Sequence, residues 1–198
     1  IIWCDPTQQS REQTLEKVVA DTGAIVVHPY NDTRVIAGQG TVALEIISDC
    51  HELDAIITPV SGGGLLSGTL LSTKDTDSNI KVYGAEPLEA DDTYRSLQKG
   101  RIVPNETTNT VCDGLRAQVG SITFPVIQRL VDDIFVVNED DIVSSMRLIW
   151  DVIKVVVEPS SAIALSALVS NRDRFKGKRV AIILSGGNVD LDKLPWTS

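Results

Sequence analysis

Residues 59–68 read PVSGGGLLSG, and the fold class is predicted from this stretch. The run before the glycines, AIITPV at 55–60, is short, apolar and rich in β-branched residues, which predicts a strand buried on both faces. The leucines at 65, 66, 70 and 71 recur at helical spacing. Three consecutive glycines between a strand and a helix allow backbone amides to close around an anion at the positive end of the helix. The stretch therefore predicts a phosphate-binding loop, with a plain strand-to-helix turn as the simpler alternative.

Two common phosphate motifs do not match these glycines. No Lys-Ser or Lys-Thr pair follows them, as a Walker A loop would require. The glycines also lack the spacing and the later acidic residue of a dinucleotide-binding fingerprint. The phosphate predicted here therefore belongs to another class of ligand.

Composition limits the classes of protein to consider. The chain has 198 residues, 42% of them hydrophobic and 23% charged, which is typical of a soluble globular protein with one or two domains. A net charge of −9 argues against a nucleic-acid partner, because such binding needs a basic face. No apolar run approaches the roughly 18 residues of a membrane helix, so no membrane partner is expected.

The cysteines and the first residues bear on compartment and completeness. Cys4, Cys50 and Cys112 form no C-x-x-C pair, which favours reduced thiols and a cytoplasmic location. Neither His28 nor His51 stands at metal-ligand spacing from a cysteine. The chain opens with IIWCDP, has no initial Met and starts on strand-like residues. We therefore expect it to be part of a longer chain.

Hydrophobic patterning predicts alternating strands and helices. Strands are predicted at 1–4, 24–28, 55–60, 81–85, 134–137 and 179–184. Helices are predicted at 10–21 behind a capping box that starts at Ser10, around 41–47, after the glycines, after a loop that begins at Glu86, and at 122–130, 139–155 and 161–169. Asn138 is a candidate cap, and 29–32 and 99–114 are predicted loops. The alternation predicts an α/β fold with a mostly parallel sheet and helices on both faces.

Two predicted strands end in glycine-rich turns, at 61–64 and at 185–187. In parallel sheets, ligands bind outside the carboxyl ends of the strands. Two such turns in one chain predict a single extended ligand that is held at both ends.

Five motifs then occur in a familiar order: VSGGGLLSG at 60–68, AEPLEADD at 85–92, CDGLR at 112–116, VEPSSA at 157–162 and LSGGNVDL at 184–191. Together they resemble the serine racemase and serine/threonine dehydratase family, which uses pyridoxal 5′-phosphate (PLP) and has the tryptophan synthase β fold, PLP fold type II. The resemblance covers essentially the whole chain. It implies the C-terminal portion of such an enzyme, with a small-domain remnant at 1–30 and an incomplete large PLP-binding domain at 31–198.

The resemblance implies a role for each residue of the glycine-rich turns. The amides of Ser61, Gly62, Gly63 and Gly64 would hold the cofactor phosphate. Family members often have glycine at the first of these positions, and the Ser61 hydroxyl is expected to add a donor to the phosphate. The hydroxyl of Ser185 would bond the pyridine nitrogen, with Gly114 and Glu158 beside the ring.

The resemblance also implies a divalent-cation site at Glu86, Asp92 and the Ala90 carbonyl. Two carboxylates beside a carbonyl are hard oxygen donors that suit Mg²⁺ or Ca²⁺ completed by water. Because Glu89 and Asp91 lie in the same stretch, a solvated acidic loop is the alternative.

Function depends on one departure from the family pattern. The implied chemistry is removal of the Cα proton of L-serine or L-threonine, leading to racemisation or to loss of ammonia. It needs a Schiff-base lysine, which in the family lies in a Ser-x-Lys-type stretch well before the glycine loop. The only lysine before Gly62 is Lys17, on a predicted helix. We therefore expect no catalytic lysine in this chain and no activity from it alone.

The family pattern further implies a homodimer in the full-length form, and Lys154 matches a lysine that contacts ATP where a nucleotide is an activator. Two other functions stay open. The chain could be a non-catalytic truncated homologue that binds ligand or regulates a partner, which a start codon just before Ile1 would favour. It could also be another anion-binding α/β protein, such as a cysteine-synthase-like enzyme. Glu86, Ala90 and Asp92 disfavour this alternative.

Overall fold

The computed structural model describes residues 1–5 and 7–196. Its strands are β1 Ala55–Pro59, β2 Lys81–Pro87, β3 Asp133–Val137 and β4 Val180–Ile182. Its helices are α1 Gln8–Thr22, α2 Thr33–Asp49, α3 Gly64–Thr76, α4 Asp92–Lys99, α5 Thr123–Leu130, α6 Glu139–Ile153 and α7 Pro159–Ser170. Short 3-10 turns cover Leu88–Ala90, Asp113–Leu115 and Arg172–Phe175.

The four strands form one parallel sheet in the order β3-β2-β1-β4. Ile57 of β1 pairs with Tyr83 of β2 on one side and with Ile182 of β4 on the other. Strand β2, which follows β1 in sequence, lies on one side of β1, and β4 lies on the other side. The carboxyl ends of β1 and β4 therefore lie side by side, where open α/β sheets commonly bind ligands.

Helices cover both faces of the sheet, as the sequence predicts. Successive side chains of a strand point to opposite faces. Along β2, Tyr83 belongs to the core on the face covered by α7, with Ile163. Val82 belongs to the core on the other face, with Leu66 of α3 and Ile127 of α5. This two-sided burial is why the strands of the sheet read as apolar runs rather than as alternating ones.

Two glycines set the position of α3, the helix that follows the glycine loop. A Cβ at Gly68 would come within 2.5 Å of the Gly40 nitrogen and of the Ile36 oxygen. Helices α2 and α3 therefore pack backbone against backbone, which only glycine permits at this crossing. The close contact fixes the N-terminus of α3 relative to the rest of the fold.

Two predicted strands, at 1–4 and 24–28, are wrong. Neither segment has regular secondary structure, and Ile1, Trp3, Ile25 and Val27 are exposed. A strand needs a hydrogen-bonding partner, and neither segment pairs with any other part of the chain that the structure describes. The β-branched composition of such a segment reports its preference for extended backbone, not the presence of a neighbouring strand.

The capping box predicted at Ser10 is also wrong, although the helix is present. Helix α1 begins at Gln8, and its cap is Thr7, whose Oγ1 accepts the Ser10 amide at 3.2 Å. The helix ends at Gly23, in the left-handed region with φ 68°. A threonine three residues before a serine offers the same capping chemistry, so the pattern alone did not separate them.

The remaining boundaries differ by a few residues. Glu86 lies inside β2 rather than in a loop, because the strand continues to Pro87. Helix α6 ends at Ile153 instead of 155, since Lys154 adopts the left-handed conformation with φ 62°. Asn138 precedes α6, but its side chain makes no capping bond. Within the described ranges, no helix has both the length and the apolar character to cross a membrane.

Candidate cofactor and cation sites

A cavity of about 980 Å³ opens at the carboxyl ends of β1 and β4. Its walls come from the first 30 residues, the glycine loop, the 104–118 segment and the turn after β4. Six of the seven predicted cofactor residues line it, namely Ser61, Gly62, Gly63, Gly64, Gly114 and Ser185. The fold thus brings together two glycine-rich turns that are more than 120 positions apart in sequence.

The 61–64 loop presents free amides to this cavity. Within the described part of the chain, none of its four backbone N–H groups donates a hydrogen bond. Gly63 is in the left-handed region with φ 88° and directly precedes α3. Unpaired amides at a helix N-terminus carry partial positive charge and bind anions. The loop therefore has the chemistry that a phosphate group needs.

Side chains are excluded from this loop by its neighbours. A Cβ at Gly62 would collide with the Tyr30 ring, and one at Gly64 would come within 2.9 Å of the Tyr30 Cβ. At Gly63 a Cβ would meet Ile127 at 2.8 Å. The three glycines are thus required by close approach, which the tight-turn alternative does not need at every position.

The Ser61 hydroxyl, which the resemblance predicts as an additional phosphate donor, is bonded to Ala117 in the structure. It accepts the Ala117 amide at 3.0 Å and donates to the Ala117 carbonyl at 3.2 Å. A hydroxyl has one proton to donate, so this pair of bonds occupies it. Ser61 therefore ties the glycine loop to the 117–120 segment.

Ser185 and Gly114 both line the cavity, and the Glu158 carboxyl group lies close to Gly114 and to Gly186. Glu158 Oε2 accepts the Asn188 amide at 2.8 Å, and the Glu158 amide donates to the Gly186 carbonyl at 3.1 Å. A Cβ at Gly186 would come within 2.8 Å of Glu158 Oε1. Glu158 thus holds the turn that carries Ser185, and it is not part of the cavity wall.

The three predicted cation ligands are buried, and none of them lines the cavity. Glu86, Ala90 and Asp92 have exposed fractions of 0%, 2% and 1%. Burial, reinforced by the charge of Asp92, raises the pKa of Glu86 well above its usual range. Burial likewise raises the pKa of Asp92 to about 6. Two adjacent buried carboxyl groups that disfavour their charged forms are a setting in which a divalent cation stabilises both.

Each of these carboxyl groups also holds local backbone. Glu86 accepts the amides of Thr93 and Tyr94 at 3.2 and 2.9 Å, which caps the start of α4. Asp92 Oδ2 accepts the Val119 amide at 2.8 Å. Among the described residues no group of three or more His, Cys, Asp or Glu side chains could hold a metal. A cation here would therefore need the Ala90 carbonyl and water in addition to the two carboxylates.

No lysine lies among the described residues that line the cavity. Lys74 and Lys81 both form ion pairs with Asp132, at 2.9 and 3.0 Å. These pairs lie at the amino end of β2, whereas the glycine loop follows the carboxyl end of β1. Lys154, the predicted nucleotide contact, ends α6 and is exposed, outside the cavity.

Sequence reasoning assigned no role to two residues of the 29–32 loop that shape the site. Tyr30 packs on the glycine loop, and Asn31 Oδ1 accepts the Ile122 amide at 2.7 Å. His28 orders this loop, because its Nδ1 accepts the amides of Tyr30 and Asn31 at 3.3 and 2.9 Å. The signal in the sequence was weak: a polar loop directly after a β-branched run, whose contacts with the glycine loop and with Ile122 are distant in sequence.

A parallel sheet with a glycine-rich loop at the carboxyl ends of its strands defines the class of protein. The sequence model of the pyridoxal-phosphate-dependent enzymes matches residues 1–186, and the chain belongs to this family. Within the family it falls in the serine racemase and serine/threonine dehydratase group, with PLP fold type II.

Two curated relatives and one solved structure illustrate the similarity. The chain is 46% identical over 203 residues to a serine racemase of Arabidopsis thaliana, covering 100% of this chain and 61% of that protein. It is 46% identical over 193 residues to a β-hydroxyaspartate dehydratase of Paracoccus denitrificans, covering 98% and 61%. The structure of maize serine racemase superposes with a TM-score of 0.93 at 44% identity, covering 97% of this chain and 60% of that chain. The chain thus spans about 60% of the length of these relatives.

Proposed function

We propose that this chain supplies the cofactor-binding part of a PLP-dependent serine racemase or L-serine/L-threonine ammonia-lyase, which removes the Cα proton of its substrate. The observation that carries the proposal is the set of four free amides at 61–64, at the N-terminus of α3 and in the same cavity as Ser185. The names of the relatives support a small amino acid as substrate. Because these relatives are named as enzymes, a non-catalytic module is not favoured.

The residues present fit the cofactor. The amides of the glycine loop would hold its phosphate, and the Ser185 hydroxyl would face its pyridine nitrogen. A hydroxyl there, unlike a carboxylate, does not favour protonation of that nitrogen. Glu158 keeps the Ser185 turn in place through the Asn188 amide. When bound, the cofactor supplies an electron sink that acidifies the Cα–H bond of an attached amino acid.

We further propose that Glu86, Asp92 and the Ala90 carbonyl hold Mg²⁺ or Ca²⁺. The burial of both carboxyl groups and their raised pKa values support this assignment. ATP as an activator near Lys154 rests on the family pattern and on the left-handed backbone of that residue, since such strain is often retained at functional positions. A homodimer and a cytoplasmic location complete the proposal, and the three free cysteines are compatible with a reducing compartment.

The Schiff-base lysine is proposed to come from outside these 198 residues, because none of the described cavity residues is a lysine. A borohydride experiment tests this. The purified chain is incubated with PLP, Mg²⁺ and L-serine, and D-serine and pyruvate are measured before and after reduction. We expect neither product from this chain, and both or either from a longer form that carries a Ser-x-Lys segment upstream. Product formed by the chain alone and abolished by borohydride would show that one of its own lysines serves.

A further inference from the structure

The 117–120 segment joins the candidate cation site to the glycine loop. At one end, the Val119 amide donates to Asp92 Oδ2 at 2.8 Å. This amide is buried, and so is the carboxyl group that accepts its proton. The position of Val119 is therefore tied to the orientation of the Asp92 side chain.

At the other end, the same segment forms hydrogen bonds with the glycine loop at two positions, Ser61 and Gly62. Ala117 exchanges two hydrogen bonds with the Ser61 hydroxyl, at 3.0 and 3.2 Å. The Gly120 amide donates to the Gly62 carbonyl at 3.2 Å, and Thr123 Oγ1 donates to the same carbonyl at 2.7 Å. Every member of this set is part-buried or buried, so water does not easily replace these bonds.

We propose that the 117–120 segment couples the two sites, so that a cation at Glu86 and Asp92 increases the affinity of the glycine loop for the cofactor phosphate, with Ser61 as the positioning residue. This inference rests on the proposed function, since it takes both ligands from there. Nothing in the sequence motifs links Ser61 to Asp92; the connection exists only in the fold.

The physical argument follows the Asp92 side chain. Without a cation, the two neighbouring buried carboxylates repel each other, which favours other orientations of the Asp92 side chain. A divalent cation holds both groups in one arrangement, in which Oδ2 can still accept the Val119 amide. When the position of Val119 is fixed, the neighbouring Ala117 is fixed as well. Ala117 then positions Ser61, and with it the backbone amides of the glycine loop, in the geometry that binds an anion. Because coupling is reciprocal, phosphate binding must also favour the cation.

The test measures the affinity of the chain for pyridoxamine 5′-phosphate by calorimetry, with EDTA and with saturating Mg²⁺. Pyridoxamine phosphate has no aldehyde, so it cannot form imines with surface lysines. We expect Mg²⁺ to tighten binding at least about fivefold in the unmodified chain, the lower end of usual coupling. In Ser61→Ala, which keeps the loop amides and removes only the hydroxyl, the ratio is expected to fall towards one.

Two control variants separate this coupling from other effects. Ser166→Ala removes a buried hydroxyl of α7 that has no hydrogen-bond partner among the described residues, so it is expected to keep the full ratio. Glu86→Gln weakens the cation site, so any tightening by Mg²⁺ that persists there comes from Mg²⁺ bound to the ligand in solution. A ratio near one in the unmodified chain, or an unchanged ratio in Ser61→Ala, overturns the coupling alone. No binding of pyridoxamine phosphate under either condition overturns the proposed function and the coupling with it.

Discussion

The ring of Tyr30 lies against Gly62, in the space that any Cβ at position 62 would occupy. Tyr30 is in turn positioned by His28, with the two rings edge to face at 4.6 Å between centroids. The geometry of the glycine loop is thus set by a loop some 30 residues earlier in the chain.

Gly62→Ala is expected to weaken pyridoxamine phosphate binding by at least tenfold, about 1.4 kcal/mol. The added methyl group must displace either the Tyr30 ring or the loop itself, and both changes disturb the amide array. Calorimetric titration measures the affinity, and thermal melting reports whether the fold survives.

Gly38→Ala is the matched control for this substitution. Gly38 lies inside α2, and in the described part of the chain a Cβ there would meet no atom within 4 Å apart from the backbone of its own helix. Alanine is favoured over glycine inside a helix by up to about 1 kcal/mol, so this variant is expected to melt higher and to bind normally. Equal binding by the Gly62 and Gly38 variants would mean that the loop does not hold the phosphate.

Mg²⁺ or Ca²⁺ is expected to raise the melting temperature of the chain by several degrees. A ligand at 100 times its dissociation constant adds about 2.7 kcal/mol to the free energy of unfolding. Asp92→Asn is expected to remove most of this increase, because it removes one of the two buried charges that attract the cation.

Glu89→Gln removes the same amount of charge three positions away, from a side chain that is not buried. It is therefore expected to keep the full cation effect in the same melting experiment. Loss of the increase in both variants would point to a diffuse acidic surface, and persistence in both would assign the cation to another place.

Asp132 gives an acid-dependent contribution to stability. Burial alone would raise its pKa, but the Val82 amide and the ammonium groups of Lys74 and Lys81 outweigh burial and lower the pKa. A carboxyl group with a lowered pKa in the folded state stabilises the fold above its unfolded pKa of about 3.9, and this contribution is lost as the pH falls through the folded value.

Asp132→Asn is therefore expected to lower the free energy of unfolding at pH 7 by about 1 kcal/mol, a modest value for a partly solvated ion pair. The difference from the unmodified chain is expected to shrink below about pH 4. Urea unfolding at several pH values measures it, with Asp75→Asn, an exposed change on α3, as the control. A difference that is constant with pH would show that the charge of Asp132 is not responsible.

Glu158→Ala is expected to speed hydrogen exchange of the Asn188 amide about tenfold, since the amide loses a charged acceptor. Glu158→Gln retains an oxygen acceptor and is expected to exchange at close to the original rate. Unchanged exchange in the alanine variant would mean that another group holds the Ser185 turn.

Much of this fold follows from local patterns in the sequence. The β1 run, the three glycines and the α3 leucines carry their own signal, because burial on both faces and helical spacing are visible within ten residues. The failures at 1–4 and 24–28 have one cause: strand pairing is a property of two segments, and β propensity reports only one.

The candidate site shows the same division between features with a local pattern and contacts between distant residues. The residues of the two glycine-rich turns were predicted from contiguous motifs, and the structure places Ser61, Gly62–Gly64 and Ser185 in one cavity. The second use of the Ser61 hydroxyl, the bond between Asp92 and Val119, and the position of Glu158 behind the cavity were not found. Each joins residues 27 to 56 positions apart, and no spacing rule connects them.

The most direct test of the central claim observes the glycine amides themselves. The chain contains 14 glycines, so selective ¹⁵N labelling of glycine gives a simple spectrum. Titration with pyridoxamine 5′-phosphate is expected to shift the amides of Gly62, Gly63 and Gly64 most and to leave Gly38 and Gly177 unchanged, whereas pyridoxamine without phosphate causes little change. Saturable binding that leaves the Gly62, Gly63 and Gly64 amides unshifted would contradict the assignment of this loop as the phosphate site.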